Sequence, residues 1–339
     1  MRMVLNYKYP LIIFFLAVVT AGLLSVAAVL SALPKILIAV QPSLIETAEP
    51  ARRLLDGRAL LPGQTERKPL AIILENHVDA RPVAGLEEAS VVYETIVEGD
   101  ITRFFAVFNY DVAINRIGPV RSLRPFFIEL AEEYNPVFFH AGGSPDALEQ
   151  IKNSLVYNIN EISADGIYFW RDSNRQRPHN LFTSTDQMRR AVTAKEIDIS
   201  PAFSPWVFQD SARADTDLIT TPRVTVKTST NDEYAALFQY NSETNDYVRF
   251  QNGAIHKTER GIILKTDNIV VQHVSADIID DYGRLAIDLQ SGGIANVYRD
   301  GIAIDAVWKK ENNRTRFYDS SGQEIAFNRG KIWVVWIFD

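Results

Sequence analysis

Cysteine is absent from all 339 residues. That absence excludes disulfide scaffolds, thiol nucleophiles, iron–sulfur ligation and thiolate zinc sites together. Histidine is scarce, with five in the chain. None falls in an HExxH-like ligand spacing, so the reading expects no metal site and no cofactor. Walker loops, GxGxxG and GxSxG are missing as well. Basic charge is also short: there are 35 Lys and Arg against 42 Asp and Glu. Arg2, Lys8 and Lys35 precede the first acid, Glu46, so the rest carries 32 basic residues against 42 acidic ones. A body that acidic is a poor partner for nucleic acid. Hydrophobic residues at 47% and charged residues at 23% are ordinary globular values and argue against wholesale disorder.

One long apolar run stands out. No charged residue lies between Lys8 and Lys35, and 11–33 is almost wholly apolar. A span of about 20 apolar residues crosses a bilayer as a helix. A cleaved signal peptide is the rival, with Ser25-Val26-Ala27 as small residues at a cleavage-like spacing. Signal h-regions run only about 7–15 residues, which favours a retained anchor. The expectation is therefore a cytoplasmic tail over 1–9, a single-pass anchor over 10–33 and an extracytoplasmic body at the cell membrane. Four prolines over 34–68, with Pro69 directly after, read as a linker.

Two textures follow. Over 69–209 strand and helix patterns alternate, giving an α+β or α/β domain. A hairpin is expected over 90–108, turning at Gly99-Asp100. A two-residue turn there would set Arg103 opposite Ile96, on one face with Glu94 and Glu98. Ser122 is the expected cap of a helix running to Tyr134, and Ser144 and Ser184 cap two more. After a link at 210–221, residues 222–339 read as short β runs between turns, which predicts an all-β domain, sandwich or barrel.

The chemistry concentrates in the first domain. Between Pro69 and Ala194 there are ten arginines and one lysine, Lys152. Guanidinium forks suit bidentate pairing with carboxylates or phosphates. Arg121, Ser122 and Arg124 enter one helix start; His140, Gly142, Gly143 and Ser144 enter another. Helix N-termini expose free N–H groups and partial positive charge, so both loops are natural anion sites. Arg171 and His179 lie in a third loop. His77, His256 and His273 are less informative in this reading. A mutual network of arginines and glutamates is the architectural alternative.

These residues also carry a resemblance. Glu75-Asn76, Arg81-Pro82, Val92-Tyr93-Glu94, Glu98-Gly99, Thr102-Arg103-Phe104, 118–122 with Arg124, His140 with 142–144, and Pro178-His179-Asn180 resemble the YerB-like family. Trp308-Lys309, Phe317-Tyr318-Asp319 and Gly330-Lys331-Ile332-Trp333 extend the likeness to the end of the chain. The resemblance implies a bacterial envelope protein of two domains with no established reaction. Members often carry a lipid-attachment cysteine; this chain has none, so the apolar run is left as its attachment. A looser similarity, to wall-polymer ligases of the LytR–CpsA–Psr type, implies a lipid-linked pyrophosphate, although their metal-binding aspartates find no match.

The functional expectation is an envelope protein that binds an anionic glycan phosphate or lipid-linked pyrophosphate through Arg81, Arg103, Arg121, Ser122, Arg124, Gly142, Gly143, Ser144 and Arg171. His140, His179 and Glu98 are the candidates for proton transfer. Two alternatives stay open: a non-catalytic module docking an envelope protein, with the arginines structural, and a hydrolase or transferase acting on an envelope phosphodiester.

Overall fold

Strands apolar at every position are buried on both faces, unlike half-exposed strands, which alternate. The unbroken apolar runs within LAIILE, TRFFAVF and IWVVWIF are of the first kind, and these strands form the centre of this fold. The structure is a computed structural model that describes residues 14, 19–22, 50–210 and 220–338. The expected tail, most of the expected anchor and residues 34–49 of the linker lie outside these, as does most of the link at 210–221. Among the described residues, no helix is long and apolar enough to cross a membrane.

The first half supplies β1 (Leu70–Glu75), β2 (Val91–Ile96), β3 (Thr102–Phe108), β4 (Val137–His140) and β5 (Tyr157–Asn160). Its helices are α1 (Pro125–Tyr134), α2 (Pro145–Gln150) and α3 (Thr185–Ala194). The second half supplies β6 (Arg223–Val226), β7 (Ala236–Asn241), β8 (Asp246–Gln251), β9 (Ala254–Ile255) and β10 (Lys265–Thr266). Then come β11 (Asn268–Val274), β12 (Gly293–Arg299), β13 (Ile302–Glu311), β14 (Arg314–Tyr318) and β15 (Ile332–Phe338). A mixed N-terminal half followed by a strand-rich C-terminal half matches the sequence reading.

The strand-rich half does not close into a sandwich or barrel of its own. Ten strands from both halves form one sheet, in the order β14-β13-β12-β11-β15-β2-β3-β1-β4-β5. The joint is β15, which lies parallel to both β11 and β2. Strands β6–β10 form a second sheet. One face of the shared sheet buries Leu74, Phe104 and Trp333 against Met188 of α3 and Phe238 and Tyr247 of the second sheet. The other buries Ile73, Phe105 and Trp336 against Phe127, Leu130 and Tyr134 of α1. Each such side chain contributes about 1.5–3 kcal/mol by leaving water. Residues Pro50–Asp339 therefore make one compact unit. The described part of the expected linker belongs to it: Leu55 is 1% exposed, within the core. A Leu side chain with an apolar face to cover does not stay in a solvated stalk.

Two local expectations shift. The hairpin turn is longer than two residues, with Val97 N–H donating to Ile101 C=O at 2.8 Å. The register moves by one, so Arg103 faces Thr95 and Glu94 faces Phe104. A one-residue slip exchanges faces, and Glu94 and Arg103 end on opposite sides of the sheet. The N-cap of α1 is Arg124 instead of Ser122. Pro125 at the first helical position forces the residue before it into extended backbone, so the helix cannot start earlier.

Candidate functional site

The strand β3 and the loop entering α1 bring three arginines around two glutamates. Glu98 in the hairpin turn takes Arg124 in a fork: Nη2 donates to Oε2 at 2.8 Å and Nε to Oε1. Arg103 donates from Nη1 to the Ser122 carbonyl at 3.1 Å, and its Nη2 lies 3.9 Å from the same Glu98 carboxylate. Burial, then the charges of Arg124 and Arg121, push the Arg103 guanidinium below its ordinary value. It stays charged at neutral pH, since guanidinium loses its proton only far above it. Burial raises the Glu98 carboxyl, but Arg124 and Arg103 outweigh it and hold it below the usual carboxylate value. Glu98 is thus an anion that anchors arginine, with no proton to donate near neutral pH.

Beside this pair a cavity of about 500 Å³ opens between the starts of α1 and α2. Five expected site residues line it: Glu98, Ser122, Arg124, Gly143 and Ser144. Tyr282 and Arg284 join them from the C-terminal half. Sequence reading missed both, because they sit on a hairpin (Ala276–Ile278 with Leu285–Ile287) remote in sequence. Arg284 holds Asp280 at 2.5 Å and Asp146 of α2 at 3.2 Å, so it bridges the halves across the cavity rim. Ser144 is the N-cap of α2, without a side-chain cap bond. Gly142 takes φ +62° and donates its N–H to Asn160 Oδ1 at 2.8 Å, which shapes the loop. A side chain there would be strained in that left-handed backbone.

The other expected site residues are placed elsewhere. Arg121 pairs through Nε with Glu75 Oε1 at 3.1 Å, and His179 Nδ1 meets Glu75 Oε2 at 2.9 Å. Arg81 donates to Asn76 and to the Glu233 carbonyl (2.9 Å), and it lines a separate cavity of about 390 Å³. Arg171 pairs with Glu161 at 2.8 Å and donates to Asn180 Oδ1. His140 is fully buried, with its Nδ1 on the Gly142 carbonyl at 2.8 Å. His140 and His179, each a candidate for proton transfer beside Glu98, have other partners, the Gly142 carbonyl and Glu75. His140 ends β4 and His179 lies in the loop before Leu181, while Glu98 is taken by arginine.

A larger buried ion pair went unread. Arg249 on β8 donates from Nη2 to both Glu94 carboxylate oxygens, at 2.8 and 2.9 Å, both side chains being 1% exposed. Trp333 Nε1 donates to the same carboxylate at 3.0 Å. His256 packs against Arg249, and burial, reinforced by Arg249 and Arg81, pushes its imidazole well below 6.5. Burial lowers His140 too. Both therefore stay neutral in the fold while the unfolded chain protonates near pH 6.5. The unfolded state then binds more protons, so stability falls as pH drops below about 6.5. Thermal melts between pH 8 and pH 5 should show this decline, and His256→Gln should flatten it. Equal slopes for both proteins would remove His256 from the account.

Comparison with known proteins places the chain. Residues 56–198 match the N-terminal domain of the DUF3048 proteins of unknown function, and 224–334 match their C-terminal domain. A Bacillus subtilis (strain 168) protein named "Putative lipoprotein YerB" is 33% identical over 290 residues, covering 85% of this chain and 87% of its own. The crystal structure of the YerB protein from Bacillus subtilis superposes with a TM-score of 0.76 at 32% identity. It covers 85% of this chain and 97% of the crystallised one. The shared fold extends through both domains and the sheet that joins them, and the chain belongs to the DUF3048 family.

Proposed function

We propose that the protein is a membrane-anchored, extracytoplasmic envelope protein whose cavity between α1 and α2 takes an anionic ligand of the phosphate or pyrophosphate class. The observation that carries this reading is the sharing of one carboxylate of the cavity wall, Glu98, by two guanidiniums, Arg124 of the same wall and the buried Arg103. An unmatched guanidinium in a partly desolvated setting is stabilised when an anion enters. Ser122, Ser144 and Arg284 offer further donors around the same space. The apolar run at 11–33 supports the anchor, since a chain without cysteine has no thiol to acylate. The lipoprotein name of the Bacillus subtilis relative supports a membrane address.

A second reading, an interaction module with structural arginines, is favoured by the carboxylate partners of Arg121, Arg171 and Arg81. One experiment separates the two. Full-length chain is recovered from carbonate-washed membranes in detergent and titrated with inorganic pyrophosphate. Arg124→Gln and Arg284→Gln should each weaken binding by about 1.5–3 kcal/mol, roughly 10–150-fold. Arg121→Gln, off the cavity, should lower the melting temperature and leave affinity unchanged. Equal affinity in wild type and both cavity variants would defeat the ligand reading. A soluble, shortened product from the membrane fraction would defeat the anchor.

A further inference from the structure

We propose that His77, Asp79 and His179 form a binding site for a divalent transition metal of the zinc class, with Glu75 as the group that orients His179. The inference uses residues outside the cavity and does not depend on the anion reading.

The juxtaposition comes from topology. β1 ends at Glu75, and His77 caps the turn Val78–Ala80 that follows, accepting the Asp79 N–H at Nδ1 (3.2 Å). The loop before Leu181 brings His179 back from a hundred residues away. The two imidazoles stack with centroids 4.9 Å apart and 15° between their planes. One ligand atom from each of the three residues lies within 4.8 Å of the other two. His77 Nδ1 and Asp79 Oδ2 are already 3.6 Å apart. Zinc–ligand bonds of about 2.0–2.2 Å put neighbouring donors of a tetrahedron roughly 3.4 Å apart. Closing the remaining gap takes a side-chain rotation, and the Asp79 side chain is 71% exposed and free to make it. The long cap bond from Asp79 N–H is what the metal would displace at His77.

The shell behind the ligands has the arrangement that metal histidines require. His179 Nδ1 sits 2.9 Å from Glu75 Oε2, so Nε2 is the ring nitrogen left to serve as the metal ligand. A carboxylate behind an imidazole fixes its tautomer and ring orientation and raises its basicity. Glu75 is itself immobilised, at 4% side-chain exposure, with Arg121 3.1 Å from its other oxygen. Two imidazoles and a carboxylate, without thiolate, suit zinc, iron, nickel or copper. Three protein ligands leave a coordination position open, unlike the closed four-ligand sites that serve only folding.

The test uses full-length chain stripped with a chelator and titrated with zinc chloride and, separately, cobalt chloride. The expected result is a single saturable zinc site and a visible cobalt absorption from ligand-field bands. Asp79→Asn, at an exposed position, should weaken zinc binding about tenfold or more while the metal-free melting temperature stays put. His77→Ala should do the same, and Glu75→Gln should weaken binding by about 10–100-fold through His179. Absence of a saturable site, or affinity unchanged in both Asp79→Asn and His77→Ala, would overturn the proposal.

Discussion

Replacing Arg249 with Met should destabilise the protein by about 3–5 kcal/mol, because it strands the Glu94 carboxylate in a dry interior. Both side chains are 1% exposed, and Arg249 lies with its guanidinium 4.9 Å from the centroid of Trp333. Taking two charges out of water is expensive, and only close, fully bonded geometry offsets it. Here Arg249 Nη2 lies close to both Glu94 oxygens, at 2.8 and 2.9 Å, and Gln251 Oε1 accepts from Arg249 Nη1 at 2.9 Å. With folded domains typically stable by about 5–15 kcal/mol, such a loss consumes much of the margin. The double variant Arg249→Met with Glu94→Leu removes both charges and should recover most of the stability. Urea unfolding of the four proteins in the cycle measures the coupling. A loss below about 1 kcal/mol for Arg249→Met alone, the range of exposed pairs, would contradict the burial described.

That pair also says why the two family domains act as one body. Glu94 belongs to β2 and Arg249 to the second sheet, while Trp333, on β15, bonds the same carboxylate. β15 is the parallel neighbour of β2. A chain ended after the first domain would leave β2 with an unpaired edge and a buried acid without its partner. Unpaired edges invite pairing with other chains.

Much of this was legible from residue order and much was not, for reasons that differ residue by residue. The strands at 70–75 and 332–338 declare themselves by unbroken apolar runs, 70–74 and 332–338. That they lie in one sheet does not follow, because the partner of β15 is some 240 residues away. The hairpin at 90–108 was readable as a pairing, but its register hung on turn length. Val97 and Ile101 close a longer loop, and every face assignment for Arg103 and Glu94 changed with it. At the candidate site, the loops before α1 and α2 were visible through Ser, Gly and Pro chemistry, and Glu98, Ser122, Arg124, Gly143 and Ser144 do share one cavity. Arg284 and Tyr282 were invisible because their approach is purely tertiary. His77 looked uninformative for the same reason: its stacking partner, His179, is supplied by a distant loop.

Glu133→Ala should be as damaging as the loss of Arg249, by about 3–5 kcal/mol, and from the other face of the sheet. Glu133 lies in α1, 1% exposed, and accepts from Lys310 Nζ at 2.5 Å, Thr315 Oγ1 at 2.7 Å and Thr315 N–H at 3.0 Å. Arg314 Nη1 is 3.5 Å away, and its guanidinium lies between the rings of Tyr134 and Trp206, 4.0 and 4.1 Å from their centroids. Removing the carboxylate leaves a buried guanidinium and a nearly buried ammonium facing each other without a counter-charge. Glu133→Gln keeps an acceptor for Thr315 and should fall between wild type and Glu133→Ala. The same helix begins at Arg124 on the cavity wall, so the two ends of α1 can be tested against each other. Below its melting temperature Glu133→Ala should still bind pyrophosphate as wild type does, since the fork between Arg124 and Glu98 holds the near end. Unfolding curves and titrations on one preparation decide it: weaker binding with unchanged stability would mean that Glu133 serves the cavity and not the joint between the halves.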